Sequence, residues 1–474
     1  MSTGTEITTL DSSKAIDDTS LTQISNFNEG LYRIGNKSKI LPGIAKQVTE
    51  SKNGKKYIFT LRKDAKWSNG DKVTAQDFVY AWQRTVNPKT ASEFAYLYSG
   101  IHNADKISAE KASVKTLGIK ATGKYKLTVT LDTPIPYFKL LMGFPSFFPQ
   151  NQKVVEKYGS KYGSSSKDMV YDGPFIQKGW TGSNLSWKMI KNPNYWDKTS
   201  VKLTQMNFQV IKDTTTGLNL YNSKKLDETT LSGSQVAQYK NNKNFVSRKL
   251  AQTSYIEFNQ SKNTVLKNKK IRQALSLAID RDQLTGKVLA DGSVSATGFV
   301  SSGLMTDLNN GKDFAAEASV PSGVSYNLQK AKKLMAEGLK EENKKTLTLD
   351  LLNNDSDVGK KASEFLQSDW EKLPGVKITL TNIPYKSFLT DEANKKFDLA
   401  LSGWAADFSD PISFLQILTS DNAQNNGSWK NVAFDKAIEK ADTTDATNPE
   451  KRFKEMIQDE KILMKDQVVA PIYQ

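Results

Sequence analysis

The last third of the chain contains a segment that has few ways to fold. Residues 346–352 (Thr-Leu-Thr-Leu-Asp-Leu-Leu) and 376–383 (Val-Lys-Ile-Thr-Leu-Thr-Asn-Ile) have strand composition, and the stretch 357–372 between them has helical spacing. Strand, helix and strand in that order read as a βαβ crossover, with parallel strands and a right-handed connection. A further buried strand is expected at 397–402 (Phe-Asp-Leu-Ala-Leu-Ser). It ends at Gly403-Trp404-Ala405-Ala406-Asp407, after which Asp410 caps a helix whose first position is Pro411. The fold class is therefore α/β. Ligands of open α/β sheets gather at the carboxyl ends of strands, which makes the turn 403–410 the place to look for a site.

The rest of the chain reads as alternating strands and helices. Residues 57–61 and 124–131 are expected strands; between them Thr74 and Asp77 form a capping box ahead of Phe78, Val79 and Trp82, and this helix stops near Asn87-Pro88. Strands are expected again at 186–190 and 203–210, separated by the turn Lys191-Asn-Pro-Asn-Tyr-Trp-Asp197. An amphipathic helix over 271–279 buries Ile271, Ala274, Leu275, Ala278 and Ile279; Asp280 caps the next helix and Asn327 a longer one. The apolar stretch Pro136–Pro149 is interrupted by Lys139, Gly143 and Pro145 and reads as packed loop or short helix. A length of 474 residues argues for two or three domains. No repeat, low-complexity tail or Pro-rich linker marks their boundaries.

Composition narrows the chemistry. There is no Cys, which removes disulfides, thiolate nucleophiles and Cys-based zinc sites, and the single His, His102, lies in a polar stretch that reads as surface. No Gly-x-Ser-x-Gly elbow accompanies it, and neither nucleotide-binding glycine motif is present. No run of 18 apolar residues exists to span a membrane, and the start of the chain has no basic region followed by a hydrophobic stretch, so either the protein is cytoplasmic or a leader has been removed. Lys and Arg total 66 against 51 Asp and Glu, a net charge of +15, which favours nucleic acid, an anionic membrane face or a polyanionic cell wall. The absence of a dense arginine block weighs against nucleic acid.

At the 403–410 turn the residue types leave two readings open. Asp407 either pairs with a ligand cation, with Trp404 as an apolar wall or cation–π face, or it caps the following turn. Asp407 with Asp410 could in principle do acid/base work on a glycoside, but strand end, Trp, Asp and helix cap are equally the pattern of a binding pocket.

Several segments resemble the extracellular solute-binding proteins, family 5, which serve ABC importers. They are Leu41-Pro-Gly-Ile-Ala-Lys46, Tyr57 to Gly70, Val73 to Trp82, Asp172-Gly-Pro-Phe175, Asn192-Pro-Asn-Tyr-Trp196, Ile271 to Arg281 and Gly403-Trp-Ala-Ala-Asp407, in family order along nearly the whole chain. The resemblance implies a three-lobed clamshell of the periplasmic-binding-protein type, whose two halves close over an oligopeptide. Lobe I would be residues 1–40 with 170–255, lobe II 41–169 and lobe III 256–474. It implies peptide capture without catalysis, cofactor or metal, in a monomer that delivers to permease subunits; a peptide pheromone receptor of the same fold and a basic wall-associated adhesin are the alternatives. Asp407 would take the peptide α-ammonium, Trp404 and the Ala405 backbone would flank the first peptide residues, and Glu29 would line the cleft or serve a structural hydrogen bond. Phe94 or Tyr96 would give an aromatic contact or pack in the core. Asn425, Asn426 and Trp429 would bound the pocket. Such proteins are extracellular, in Gram-positive bacteria tethered through a lipidated Cys that this chain lacks, and they continue beyond residues 470–474 with a segment returning to lobe I, the crossings near 255–260 and beyond Tyr473 forming the hinge.

Overall fold

The computed structural model describes residues 1–474, which divide into two compact units, 1–210 and 211–474. No helix is long and apolar enough to cross a membrane.

The first unit holds two four-stranded sheets. One sets Gln205–Val210 between the short strand Ser2–Thr3 and Ser186–Lys191, with Phe175–Lys178 at its far edge. Its core includes Trp180 and Trp187, the latter stacked on Phe208 at 5.7 Å, and the helix Asp18–Phe27 supplies Ile24 and Phe27. The other sheet is wholly antiparallel, in the order Ala45–Glu50, Lys56–Leu61, Lys126–Thr130, Ile119–Gly123. The helix Ala75–Thr85 begins with the expected capping box, Asp77 Oδ2 accepting from Thr74 N at 2.7 Å. Its Trp82 is fully buried with Tyr98 and Phe147, and each polar tip finds a carbonyl: Trp82 Nε1 donates to Phe147 O and Tyr98 OH to Ser146 O. The Pro136–Pro149 stretch resolves into a short helix, Phe138–Leu141, and a single tight turn at Pro145–Phe147. His102 is exposed, its Nδ1 2.7 Å from Asp132 Oδ1.

The second unit is built on a five-stranded sheet in the order Val376–Ile383, Leu347–Asn354, Leu399–Ala405, Gln252–Phe258, Val469–Tyr473. Leu347–Asn354 runs parallel to both neighbours, as the crossover requires, and the helix Asp357–Trp370 is capped by Ser356 Oγ, which accepts from Gly359 N. Gln252–Phe258 runs antiparallel to the strands on either side of it. Trp370, Leu349, Leu351, Ile378 and Ile256 form part of one core with the helices Lys269–Leu277 and Leu328–Glu341. These two helices approach so closely that a Cβ on Gly338 would meet Ile271 Cγ1 at 2.6 Å. Lys212, near the start of this unit, pairs with Asp355 at 2.7 Å.

Two buried arginines in the 271–281 segment have backbone carbonyls as their main partners. Arg272 donates to Leu266, Lys267, Asp466 and Gln467 oxygens. Arg281 donates to those of Ser276, Ile279, Val324 and Pro471, and to Ser276 Oγ. Together they tie the end of the helix Pro449–Asp466 and the terminal strand to the helix Lys269–Leu277. A lysine at 281 would keep the charge but could not satisfy acceptors lying in several directions. Arg281→Lys is therefore expected to destabilise the second unit by about 3 kcal/mol, read as a lower midpoint in urea unfolding; an unchanged midpoint would contradict it.

Candidate functional site

Leu399–Ala405 lies third in the five-stranded sheet and extends three residues beyond the expected end, because Gly403, Trp404 and Ala405 pair with Ser254, Thr253 and Gln252. Ala406 N then donates to Ala251 O and the chain turns away. Trp404 is buried to 9% exposure, and its Nε1 donates to Ser413 O at 2.8 Å. Ser413 Oγ in turn accepts from Asp407 N at 2.8 Å. Asp410 Oδ1 accepts from Ile412 N, as a cap would, but both its oxygens also bind Arg452, at 2.7 and 2.9 Å, with both side chains buried. The carboxylate of Asp410 is thus paired with a buried guanidinium. Asp407 is half-buried, on a turn held at both ends. A carboxylate whose backbone is fixed in this way is suited to accept a cationic group.

The loop 419–429 is braced from within. Asn425 is 3% exposed; its amide donates to Thr419 O and Trp429 O and its carbonyl accepts from Trp429 N. Trp429 packs edge-on against Phe434 and donates to Asp466. These two residues shape the loop. Asn426 is buried too, and its Oδ1 has no hydrogen bond within the protein. The loop is fixed to the sheet by Glu257, whose Oε1 accepts from Gly427 N at 2.9 Å; a Cβ on Gly427 would meet Phe258 O at 2.8 Å, so only glycine allows this approach.

In the first unit Glu29 is 2% exposed and its carboxylate is already occupied: Tyr195 OH and Arg33 Nε approach one oxygen at 3.0 and 3.2 Å, and Trp196 Nε1 donates to the other at 2.6 Å. Burial pushes its carboxyl up to about 7, against the pull of the Trp196 hydrogen bond, Arg33, Tyr195 and Arg62. Arg62 lies 3.5 Å from the centre of the Trp196 ring. Glu29 thus organises the Asn192–Trp196 segment, and it also borders a cavity of about 490 Å³ lined by Arg33, Tyr195, Phe148, Phe175 and Leu203 among others. Gly30 beside it admits no side chain, since a Cβ would meet Met142 O at 2.5 Å. Phe94 is 1% exposed and packs edge-on against Phe144, while Tyr96 is half-buried.

The sequence matches the bacterial extracellular solute-binding proteins, family 5 (middle region), over residues 39–426. This chain belongs to that family. It is 42% identical to a dipeptide-binding protein of Lactococcus lactis over 94% of this chain and 83% of the relative. Among solved structures, Listeria monocytogenes OppA bound to peptide superimposes with a TM-score of 0.95 at 40% identity, covering all of this chain and 92% of that one. The pheromone receptor PrgZ does so with 0.95 at 39%, with the same coverage. The α/β fold expected from sequence is the fold these structures share with it.

Three groups that shape the site in this family 5 protein had no reading in the sequence. Ser413 and Arg452 hold the 406–413 turn, and Glu257 holds the 419–429 loop. Arg452 lies 42 residues from Asp410 and Gly427 lies 170 from Glu257, so no local spacing announces either contact.

Glu257 is pushed up to about 8, first by burial and then by the neighbouring Glu392 carboxyl; the Gly427 N–H, the Asn426 side chain and Lys395 pull the other way. A carboxyl that binds its proton more tightly when folded stabilises the native state fully below its unfolded pKa, near 4.5, and loses that contribution as pH rises to about 8. Glu257→Gln removes this titration. The variant's thermal midpoint is expected to gain on the parent's steadily from pH 5 to pH 8.5, and parallel profiles would show that Glu257 does not titrate in that window.

Proposed function

We propose that this family 5 protein captures oligopeptides in extended form and delivers them to the permease subunits of an ABC importer, acting as a receptor and not as an enzyme. The observation that carries the reading is the Gly403–Asp407 turn. It places the half-buried Asp407 just past the end of a central strand, with its backbone N–H fixed to Ser413. Asp407 takes the peptide α-ammonium, and the backbone of Ala405 with Trp404 flanks the first peptide residues. A charge-assisted hydrogen bond of this kind is worth about 1.5 to 3 kcal/mol. Hydrogen bonding to the ligand's main chain gives affinity with little dependence on sequence.

Asn426, with an unoccupied buried oxygen, bounds the pocket, and Asn425 and Trp429 hold its wall in shape. The reading also takes Glu29, Tyr96 and Phe94 as peptide-contacting residues. The reading includes the lobe division 1–40 with 170–255, 41–169 and 256–474, a monomeric receptor, and anchoring at the cell surface through a lipidated amino-terminal cysteine. It is supported by the likeness to OppA bound to peptide. The equal likeness to PrgZ favours a second reading, reception of a peptide signal, with the same site. Mass spectrometry of co-purifying ligands separates the two: a heterogeneous set of peptides indicates nutrient uptake, a single species signalling.

Asp407→Ala should weaken binding of peptides with a free amino terminus by about one to two decades in titration calorimetry, because the ligand ammonium is then buried without a partner. N-acetylated peptides should bind the parent protein as weakly. If acetylation leaves affinity unchanged, Asp407 is not the amino-terminal anchor.

A further inference from the structure

The net charge of +15 is not shared between the two units. Residues 1–210 carry 30 Lys and Arg against 17 Asp and Glu, whereas residues 211–474 carry 36 against 34. Within the first unit the excess is concentrated again: residues 41–169 hold 21 basic against 10 acidic side chains, a surplus of +11. Of this surplus, Arg62 acts on Glu29.

The wholly antiparallel sheet of that stretch shows where part of it goes. One face buries Tyr57, Phe59, Leu127 and Val129. The pairing register places Lys56 opposite Thr130, Ile58 opposite Thr128, Thr60 opposite Lys126, and Lys120 opposite Thr128 on the other face. Lys56, Lys120 and Lys126 are exposed there among threonines, and no carboxylate belongs to that face. Glu50 alternates to the buried side, where it pairs with Lys139 at 2.7 Å and accepts from Tyr57 OH. Lys52 and Lys55 lie in the turn at one end of the sheet and Lys124 in the hairpin turn at the other. Asp132, at the Lys55 end, is engaged by His102. Positive charge thus runs from end to end of a solvated sheet face, with Lys56 and Lys126 about 13 Å apart along the strands.

We propose that this face docks the protein onto a linear phosphodiester polymer of the cell wall, of the poly(glycerol phosphate) type. The chemistry favours a flexible chain of phosphates over other anions. Lysines act as point charges that follow a phosphate chain without demanding a fork geometry. The face offers no aromatic platform on which bases could stack. Its one sizeable apolar side chain, Ile58, is half-buried and cannot enter a bilayer. Docking here leaves the peptide residues untouched and keeps an extracellular receptor concentrated in the wall.

The test uses the full chain and soluble poly(glycerol phosphate), with affinity measured across a salt series. The face variant is Lys56→Glu, Lys120→Glu, Lys126→Glu; the control is Lys330→Glu, Lys333→Glu, Lys344→Glu in the second unit, which changes net charge equally. The face variant is expected to lose about tenfold or more in affinity and to flatten the salt dependence by about two to three contacts, while the control stays within about twofold of the parent. Peptide affinity should be the same in all three, so failure of the docking face is distinguishable from failure of the peptide reading. Equal losses in both variants would reduce the effect to net charge and overturn the proposal, as would no loss in the face variant. Binding to phosphatidylglycerol vesicles without binding to the polymer would overturn it in favour of a membrane surface.

Discussion

Arg452 donates two short hydrogen bonds to Asp410, with both side chains buried. Such a pair contributes little net stability, because dehydrating both charges offsets most of their attraction, but losing either partner strands the other. Its effect is geometric. It pins the turn after Leu399–Ala405 to the helix Pro449–Asp466, and with the Trp404 and Asp407 bonds to Ser413 it leaves the turn a single arrangement. The turn that carries Asp407 is placed by that arrangement, so the geometry of the candidate site depends on a buried ion pair.

Glu29 and Glu257 play comparable parts elsewhere. Each is a buried carboxyl that draws a distant segment to itself, Tyr195 with Trp196 in one case and Gly427 in the other. In both places the neighbouring backbone must come close, and glycine at 30 or 427 permits it. Burial holds both carboxyls above their ordinary range.

What was legible in the sequence was local. The Thr74–Asp77 box, the Asn327 cap and the strand–helix–strand crossover depend on residues a few positions apart, and all formed as read. The strand at 399–405 ran past its expected end because pairing with Gln252–Thr253 outweighs the tendency of Gly403 to terminate it. Asp407 and Trp404 stood out because their residue types at a strand end carry chemistry in themselves. The tasks of Glu29, Asn425 and Trp429 did not, because the same side chains serve equally to bind a ligand or to brace a loop, and their partners decide which. Arg272 and Arg281 lay in a segment whose family likeness was plain, yet their acceptors are carbonyls, and a carbonyl has no sequence.

Those arginines also set an order in time. Arg281 is made 190 residues before Pro471, whose oxygen it holds, and Arg272 comes 195 before Gln467. At synthesis rates of about 5 to 20 residues per second, both guanidinium groups wait roughly 10 to 40 s for their acceptors. Until then the five-stranded sheet lacks its Val469–Tyr473 edge, Arg272 lacks two of its four carbonyls and Arg281 lacks the Pro471 oxygen, so the core of the second unit is completed late in synthesis. The first unit, whose core draws on residues 1–210 alone, has no such wait.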